Sequence, residues 1–424
     1  MGCYSSLSRP NFFIRMIQDL FSFELVFTLF LFAWVFKADP RFGWVPVDLT
    51  LLLFIWSVCT GVLVFLAEKK RFETKATFMV FTAILFVLYI LVSLTWTHGR
   101  IYAAQKALHI STLTLWSLMA CAFIIASDKN RLARFIRFLM LLSIWIAAES
   151  TLVYIKGGND VINALNSNYL ALGYTMGMGL LISAAYCFLS GQSRPRRVLM
   201  LSLTLYFMFM LFIMGGRGPL LSVSISLCLP LLPGSNFFRS SKHKLQKYGI
   251  FIGILFLTLL FISITLYTRG LLTATLYRIL LFLEPGMGSS AGTRMGYYSE
   301  SYRLWQLKPL FGHGIGSWPL LIGLPDICAY PHNLIFELLV ELGLSGVILF
   351  GLLLLAALKD FFKRNAGESI FYVSVILMMF SNAFIGALLS GDINDNRILF
   401  AAIGLMAFGR NINEKEGMCS YNGA

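Results

Sequence analysis

Charged residues are scarce in this chain of 424 residues, where Asp, Glu, Lys and Arg together make up only 13% of the sequence. A soluble domain carries about 25% charged residues. Hydrophobic residues make up 58% of the chain, and the mean hydropathy is +0.77. This composition excludes a soluble globular fold and indicates an integral membrane protein.

Functionally spaced cysteines are also missing, because no two of the seven have the spacing of a metal site or redox motif. The chain contains no HExxH, P-loop or GxSxG signature. Residues 312–316 contain GxGxG, but no strand precedes them, so we predict no nucleotide site. The external histidines and carboxylates lack ligand spacing, so we predict neither a metal nor a cofactor.

Twelve apolar runs are long enough to be considered as membrane helices, each needing about 20 residues to cross the bilayer. The runs are 21–36, 49–67, 76–96, 107–126, 135–155, 169–189, 198–214, 219–232, 248–267, 334–357, 369–390 and 397–409. The eighth and twelfth are short. We therefore predict an all-α protein in which residues 1–424 form a single integral membrane domain with about twelve transmembrane helices.

The basic residues support this count. The net charge is +14, and Lys and Arg cluster in alternate segments between the apolar runs, as the positive-inside bias predicts. This distribution explains the charge without a nucleic-acid partner. It predicts that both termini are cytoplasmic and that residues 268–333 form a long periplasmic loop between the ninth and tenth helices. Within the loop, we predict a membrane-resting helix at 271–283 and an amphipathic helix carrying Tyr297 and Trp305.

Arginines on the predicted outer side go against the topological bias, and two of them are candidate site residues. Arg217 belongs to a tight turn, GGRGP at 215–219, where glycine permits close approach of a ligand. Arg294 follows small and hydroxylated residues that lead into a predicted helix, and helix N-termini favour anions. Both arginines suit a phosphate. The alternatives are a snorkelling or loop arginine at 217 and an N-capped surface helix at 294.

His332 opens a second group of candidates at the outer start of the tenth run. A histidine can accept a proton from a sugar hydroxyl near neutral pH, although most histidines at a membrane boundary are structural. Asn333 follows it, and Glu337 and Glu341 lie one turn apart inside the run. Carboxylates in a membrane helix are functional candidates. The alternative, favoured for Glu341, is a pair neutralised by an arginine or holding helices together.

Two polar turns offer sugar contacts. Residues 391–397, GDINDNR, are dense in hydrogen-bonding side chains, and Asp392 is the contact that we single out there. An ordinary Asx-rich turn is an equal alternative. Asn168, before the sixth run, is a similar but weaker candidate.

Several of these motifs together resemble the O-antigen ligase and polymerase superfamily of bacterial inner-membrane glycosyltransferases. The resemblance covers about residues 160–400 and rests on the order, spacing and shared external side of short motifs. The matching segments are GRGP at 216–219, SSAGTR at 289–294, GHGIG at 312–316, HNL at 332–334, ELL at 337–339, ELG at 341–343, Gly346, and the turns at 166–168 and 391–392.

The resemblance implies about twelve helices in a Gram-negative inner membrane, with a periplasmic active site and no metal or nucleotide. It implies an undecaprenyl-diphosphate-linked glycan as donor and lipid A-core as acceptor. It further implies that Arg217 and Arg294 bind the diphosphate and that His332 is catalytic. Asn333, Glu337, Asp392 and Asn168 are candidates for sugar or supporting contacts.

The motifs leave several activities open. We expect a metal-independent ligase, which places polymer on lipid A-core, ahead of a polymerase, which joins repeat units from the same donor. Protein O-oligosaccharyltransferases rank third, because they usually carry added C-terminal domains. A transporter for the lipid-linked sugar is the alternative from another class. It should show charged or broken helices near the bilayer midplane, whereas the candidate residues gather at the outer face.

Overall fold

The computed structural model describes residues 22–67, 77–157, 161–231, 242–270, 273–281, 289–364 and 369–409. Within these ranges the regular elements are helical and no strand occurs. The helices of four or more residues are α1 (Phe23–Phe36), α2 (Leu49–Ala67), α3 (Thr77–Ser93), α4 (Ile101–Ile125), α5 (Lys129–Ile155), α6 (Tyr169–Phe188), α7 (Arg194–Ile213), α8 (Arg217–Cys228), α9 (Lys242–Thr268), α10 (Ala274–Leu280), α11 (Ser289–Leu307), α12 (Trp318–Leu321), α13 (Leu334–Arg364), α14 (Ile370–Ser390) and α15 (Arg397–Leu405).

Eight helices in the described ranges are long and apolar enough to cross a membrane, namely α2, α4, α5, α6, α7, α9, α13 and α14. The chain is therefore a multi-pass, all-helical membrane protein. Each of the twelve predicted runs coincides with a helix. However, α1, α3 and α8 are shorter apolar helices, and α15 has nine residues. Crossing of the bilayer by these four stays a prediction.

Helix α6 lies at the centre of the bundle, with 83% of its apolar window buried, compared with 11% in α9. Small residues make this possible, because a Cβ on Gly177 would lie 2.5 Å from a methyl carbon of Val223 in α8. Lipid tails are as apolar as the helices, so close packing of small residues stabilises helix association in a membrane. The centre of the fold thus brings the start of α6 beside α8 and α14.

Helix α13 is broken at Gly343, whose backbone angles are φ 66° and ψ −167°. Residues 309–314 satisfy the backbone groups that the break leaves free. His313 and Gly314 donate their N–H groups to the carbonyls of Val340 and Glu341 at 2.9 and 2.8 Å. On the other side of the break, the N–H of Leu344 donates to Pro309. Non-helical backbone at membrane depth needs such internal partners.

The GHGIG motif at 312–316 therefore has a structural role. Gly312, Gly314 and Gly316 all have positive φ angles. A Cβ on Gly312 would lie 2.6 Å from the Glu341 backbone, and one on Gly314 would lie 2.5 Å from that of Thr97. Glycine at these positions lets the loop pack directly on the break.

The predicted loop 268–333 contains three helices in its described part. Helix α10 falls inside the predicted 271–283 helix, and α11 carries Tyr297 and Trp305 as predicted. The position of these helices relative to a membrane stays a prediction. The loop also holds the start of α4, because the Asp326 carboxylate accepts the N–H groups of Arg100, Ile101 and Tyr102. These hydrogen bonds lower the pKa of Asp326.

Candidate functional site

The end of α14 and the turn after it, residues 388–396, receive side chains from two other helices. Asn333 donates its Nδ2 hydrogen to the Leu388 carbonyl at 2.9 Å. Arg294 donates from Nη1 to the Leu389 carbonyl at 3.0 Å and from Nη2 to the Ser390 hydroxyl at 3.3 Å. Residues 388–396 thus link α11 to the start of α13. We call this segment the platform.

His332 and Glu337 contact the same platform. The Ser390 backbone lies next to the His332 ring and partly offsets the lowering of its pKa. The Oε2 of Glu337 accepts the N–H of Ile393 at 2.8 Å. Four predicted residues, Arg294 and three from the start of α13, are therefore assembled around one segment, although the chain separates some of them widely.

One ring nitrogen of His332 has no hydrogen-bond partner in the protein. Its φ is 59°, a left-handed angle that is uncommon outside glycine. Nδ1 is buried and has no hydrogen-bond partner in the protein. Burial lowers the pKa of His332, and the positive charge of Arg294 lowers it further. A neutral ring that donates through Nε2 presents a lone pair on Nδ1, as a general base requires.

A cavity of about 330 Å³ lies beside the platform. Four of the predicted residues, Arg294, His332, Asp392 and Asn168, line it. Its other lining residues are Trp34, Leu170, Ala171, Tyr174, Met178, Tyr330, Asn382, Ala383, Gly386, Ala387, Ser390, Gly391, Asp395, Asn396 and Ile398. The wall therefore combines apolar and aromatic side chains with a few polar groups, which is the usual make-up of a ligand site.

Four polar atoms of the cavity lining are buried without a hydrogen-bond partner in the protein. They are Trp34 Nε1, Tyr174 Oη, His332 Nδ1 and Asp392 Oδ2. Buried polar atoms in native structures are nearly always hydrogen-bonded, so each such atom needs an explanation. A ligand rich in hydroxyl groups would satisfy all four, because hydroxyls both donate and accept.

Asp392 lies in the polar turn, and only one of its two carboxylate oxygens is hydrogen-bonded. Oδ1 accepts the N–H of Asp395 at 2.9 Å, whereas Oδ2 has no partner. Burial raises the pKa of Asp392, and the nearby negative charge of Asp395 raises it further. The first carboxylate of the turn therefore lines the cavity.

Asn168 and Asn333 both cap helices. The Asn168 side chain accepts the N–H of Ala171 at 2.9 Å and begins α6, while also lining the cavity. The Asn333 side chain accepts the N–H groups of Ile335 and Phe336 and begins α13. Asn333 is not part of the cavity lining.

Arg217 lies outside the cavity lining. It belongs to a pair of hydrogen bonds between residues 215–217 and Arg278, which we call the Arg217 clasp. Its Nη1 donates to the Arg278 carbonyl at 2.5 Å, and Arg278 Nη1 donates to the Gly215 carbonyl at 3.0 Å. The charges of Arg278 and Arg294 both act on Arg217. The turn also borders the cavity wall, since a Cβ on Gly218 would lie 2.9 Å from the Tyr174 hydroxyl. The clasp and the cavity are therefore neighbours.

The location of Arg294 corrects one expectation. Residues 289–293 do not lead into the helix, because α11 already begins at Ser289 and Arg294 lies on its second turn. Its guanidinium is consequently placed by the α11 backbone and by the platform, and not by a helix N-terminus.

The alternative of a carboxylate pair that holds helices together agrees with the structure, whereas the alternative of an arginine partner is wrong. Lys106 of α4 lies between them, bonded to Glu337 and at 2.7 Å from Oε2 of Glu341. All three side chains are at most 1% exposed. Glu337 therefore stands behind the cavity as a supporting residue.

Sequence reasoning missed Lys106, Arg278, Trp34 and Tyr174. Lys106 was detectable as a lysine within a predicted outer-side stretch, directly before the fourth run. The aromatic residues gave no signal, because the chain contains 8 Trp and 17 Tyr. In the described ranges, no group of three or more His, Cys, Asp or Glu residues is placed to hold a metal ion.

Comparison with known proteins agrees with the resemblance found in the sequence. Residues 198–351 match the model of the O-antigen ligase family. The matched region contains Arg217, Arg294 and His332, together with the break in α13. No curated protein matches the chain. The match supports membership of the O-antigen ligase superfamily.

Proposed function

We propose that this protein is an O-antigen ligase, an inverting glycosyltransferase of the bacterial inner membrane. It would move polysaccharide from undecaprenyl diphosphate to lipid A-core at the periplasmic face. The observation that carries the proposal is the cavity in which His332 presents an unbonded Nδ1 beside Arg294, next to the Arg217 clasp. The family match is consistent with this activity.

The reaction follows from these groups. The His332 Nδ1 accepts the proton of an acceptor hydroxyl, and the freed oxygen attacks the anomeric carbon from the face opposite the diphosphate. The bond between that carbon and the diphosphate oxygen breaks, and its electron pair leaves with the diphosphate. Arg294 and Arg217 stabilise the departing negative charge, more strongly where water is excluded.

The remaining cavity groups suit sugar recognition. Asp392 Oδ2 accepts a hydroxyl hydrogen, Trp34 Nε1 donates to a hydroxyl oxygen, and Asn168 lies in the same wall. The reaction requires neither a metal nor a nucleotide. We further propose the twelve-helix topology, with both termini in the cytoplasm and residues 268–333 in the periplasm.

A polymerase that uses the same donor is the close alternative, because the cavity geometry does not specify the acceptor. A transporter for the lipid-linked sugar is favoured by one observation, the break in α13 at Gly343 beside three buried charged groups. We rank the transporter below the enzyme, because the polar atoms without partners in the cavity suit a reacting sugar.

Gene deletion in the native host, followed by electrophoresis of lipopolysaccharide, separates the alternatives. A ligase predicts loss of the polymer ladder from lipid A-core while long carrier-linked polymer accumulates. Core carrying a single repeat unit, with no long polymer anywhere, would indicate a polymerase. An unchanged ladder would overturn both proposals.

Complementation tests the site. We expect Arg217→Ala, Arg294→Ala and His332→Ala to be expressed but not to restore the ladder. Arg303→Ala is a matched control, because Arg303 lies on α11 like Arg294 but pairs with Glu300 and has a side chain 60% exposed. Formation of a new glycosidic bond by the purified protein would exclude a transporter.

A further inference from the structure

We propose that Lys106 is a positioning residue for glycan transfer, acting through Glu337 to hold the platform and the cavity-lining Asp392. The inference rests on the proposed function and assigns to that site a residue on a different helix, outside the region matched by the family model.

The contacts form a continuous path from α4 to the cavity. Lys106 Nζ bonds Oε1 of Glu337, and the other oxygen of that carboxylate, Oε2, accepts the N–H of Ile393 at 2.8 Å. Ile393 directly follows Asp392, whose Oδ2 lines the cavity without a partner. One carboxylate thus joins a buried ammonium to the backbone of the turn.

A second contact from α4 reaches the same turn. His109 lies 3.2 Å from the Asn394 side-chain oxygen through Nδ1, and the Thr114 hydroxyl donates to the Asn394 carbonyl at 3.4 Å. The turn is therefore held from α4 at two points. Lys106 acts, through Glu337, on the contact that lies nearer to Asp392.

Charge neutralisation alone does not account for this arrangement. Leaving one partner of a buried ion pair unpaired is strongly destabilising. Glu341 already bonds Lys106 at 2.7 Å, its Oε1 has no partner, and no hydrogen bond joins it to the described residues of the turn. Glu337 is the carboxylate that adds the bond to Ile393, so the two carboxylates have separable roles.

The consequence for the reaction follows from the platform. Residues 388–396 carry Asp392 in the turn and Ser390 at its start. The Ser390 hydroxyl accepts a hydrogen bond from Arg294, and the Ser390 backbone lies next to the His332 ring. Release of Ile393 would let the turn shift against the cavity. A displacement of about 1 Å at a catalytic site can reduce the rate about a hundredfold.

The experiment compares full-length variants purified in lipid nanodiscs. Glu337→Gln weakens the link between Lys106 and the turn, because an amide cannot accept at both of its termini. The double variant Lys106→Met with Glu337→Gln removes the link altogether. It leaves Glu341 buried without its cation, so thermal stability is measured beside kcat. Glu341→Gln is the matched control, since Glu341 bonds Lys106 and no hydrogen bond joins it to the described residues of the turn. The measurements are kcat and KM for transfer from a polyprenyl-diphosphate glycan, thermal stability, and hydrogen exchange of residues 391–396.

We expect Glu337→Gln and the double variant to lower kcat about 10- to 100-fold, with little change in donor KM. Amide exchange in the turn should accelerate in both. Adding Asp392→Asn should lower kcat no further, because the two changes act on the same group. Glu341→Gln should retain kcat within about twofold, and its turn should stay protected.

Two results would overturn the inference. One is a double variant with wild-type kcat per folded molecule and a lower thermal midpoint, as a purely structural role predicts. The other is an equal effect of Glu341→Gln and Glu337→Gln on kcat and exchange. Absence of transfer by the wild type would overturn the proposed function instead, and the exchange data would still decide whether Lys106 holds the turn.

Discussion

At the scale of single residues, the protonation of His332 controls the proposed chemistry. Its ring lies next to the Ser390 backbone and near two tyrosines, with the Tyr330 ring centroid at 4.6 Å and the Tyr297 centroid at 6.4 Å. These neighbours keep water from the ring and, with Arg294, disfavour the charged form. The histidine is therefore neutral, and able to accept a proton, over a wider pH range than a free imidazole.

Replacement of His332 by glutamine should lower kcat by about 10² to 10⁴-fold with normal expression, because general-base catalysis contributes that much. In the wild type, activity should fall as pH decreases through the lowered pKa of His332, below the usual 6.5. A pH profile of kcat/KM tests both points. Full activity in His332→Gln would leave the histidine at most a diphosphate contact.

Replacement of Arg294 by lysine should weaken binding of the donor. Its two Nη atoms already bond Leu389 and Ser390, and a single ammonium cannot hold both contacts while facing a phosphate. We expect Arg294→Lys to raise the donor KM about tenfold or more, since a hydrogen bond to a charged group contributes about 1.5–3 kcal/mol. Arg303→Lys is the control and should leave KM unchanged. Equal KM values for the two variants would contradict the assignment.

At the scale of elements, the break in α13 determines where the start of that helix points. The first part of α13 begins at Leu334, two residues after His332, and carries Glu337, while the second part continues from the break at Gly343 to Arg364. The loop 309–314 makes the backbone hydrogen bonds that the break removes from the helix. The break thus sets the direction of the part of α13 that faces the platform.

Gly343→Ala should destabilise the protein by about 3 kcal/mol or more, because its backbone angles are restricted to glycine and a Cβ would lie 2.4 Å from the Leu310 carbonyl oxygen. Thermal unfolding in detergent measures the effect. Gly351→Ala in the same helix is the control, since a Cβ there meets nothing within 4 Å. A helical alanine in that position should be neutral or stabilising by up to about 1 kcal/mol. Similar midpoints for the two variants would show that the break is dispensable.

At the scale of the whole molecule, the charge pattern and the position of the cavity together predict which side of the membrane the site faces. The basic clusters lie at one set of helix ends, and the cavity lies at the ends of α13 and α14 that the charge pattern assigns to the periplasm. Helix α6, which contributes residues to the cavity wall, is buried, whereas α9 is exposed. The cavity is therefore formed by inner helices of the bundle.

Reporter fusions test this topology. A reporter that is active only in the periplasm should give signal when fused after residue 307 and none when fused after residue 409, because the positive-inside bias assigns these positions to opposite sides. A cytoplasmic reporter should give the reverse result. Activity of the periplasmic reporter after residue 409 would mean that one of the four short helices does not cross the membrane.

The sequence by itself determined the class of protein, the positions of its helices and four of the residues that line the cavity. Hydropathy is a property of about 20 consecutive residues, so it locates helices without knowledge of their packing. Arg294, His332, Asp392 and Asn168 were found because they lie in short motifs beside predicted helix ends. Their assembly around one cavity follows the prediction that these ends share one side.

Only the tertiary structure decided which residues support the site. Lys106 and Glu337 are 231 positions apart, and their contact depends on how α4 packs against α13. The same holds for the clasp between Arg217 and Arg278 and for the place of Trp34 and Tyr174 in the cavity wall. A buried charge takes whichever partner the packing brings near, and local sequence does not encode that choice.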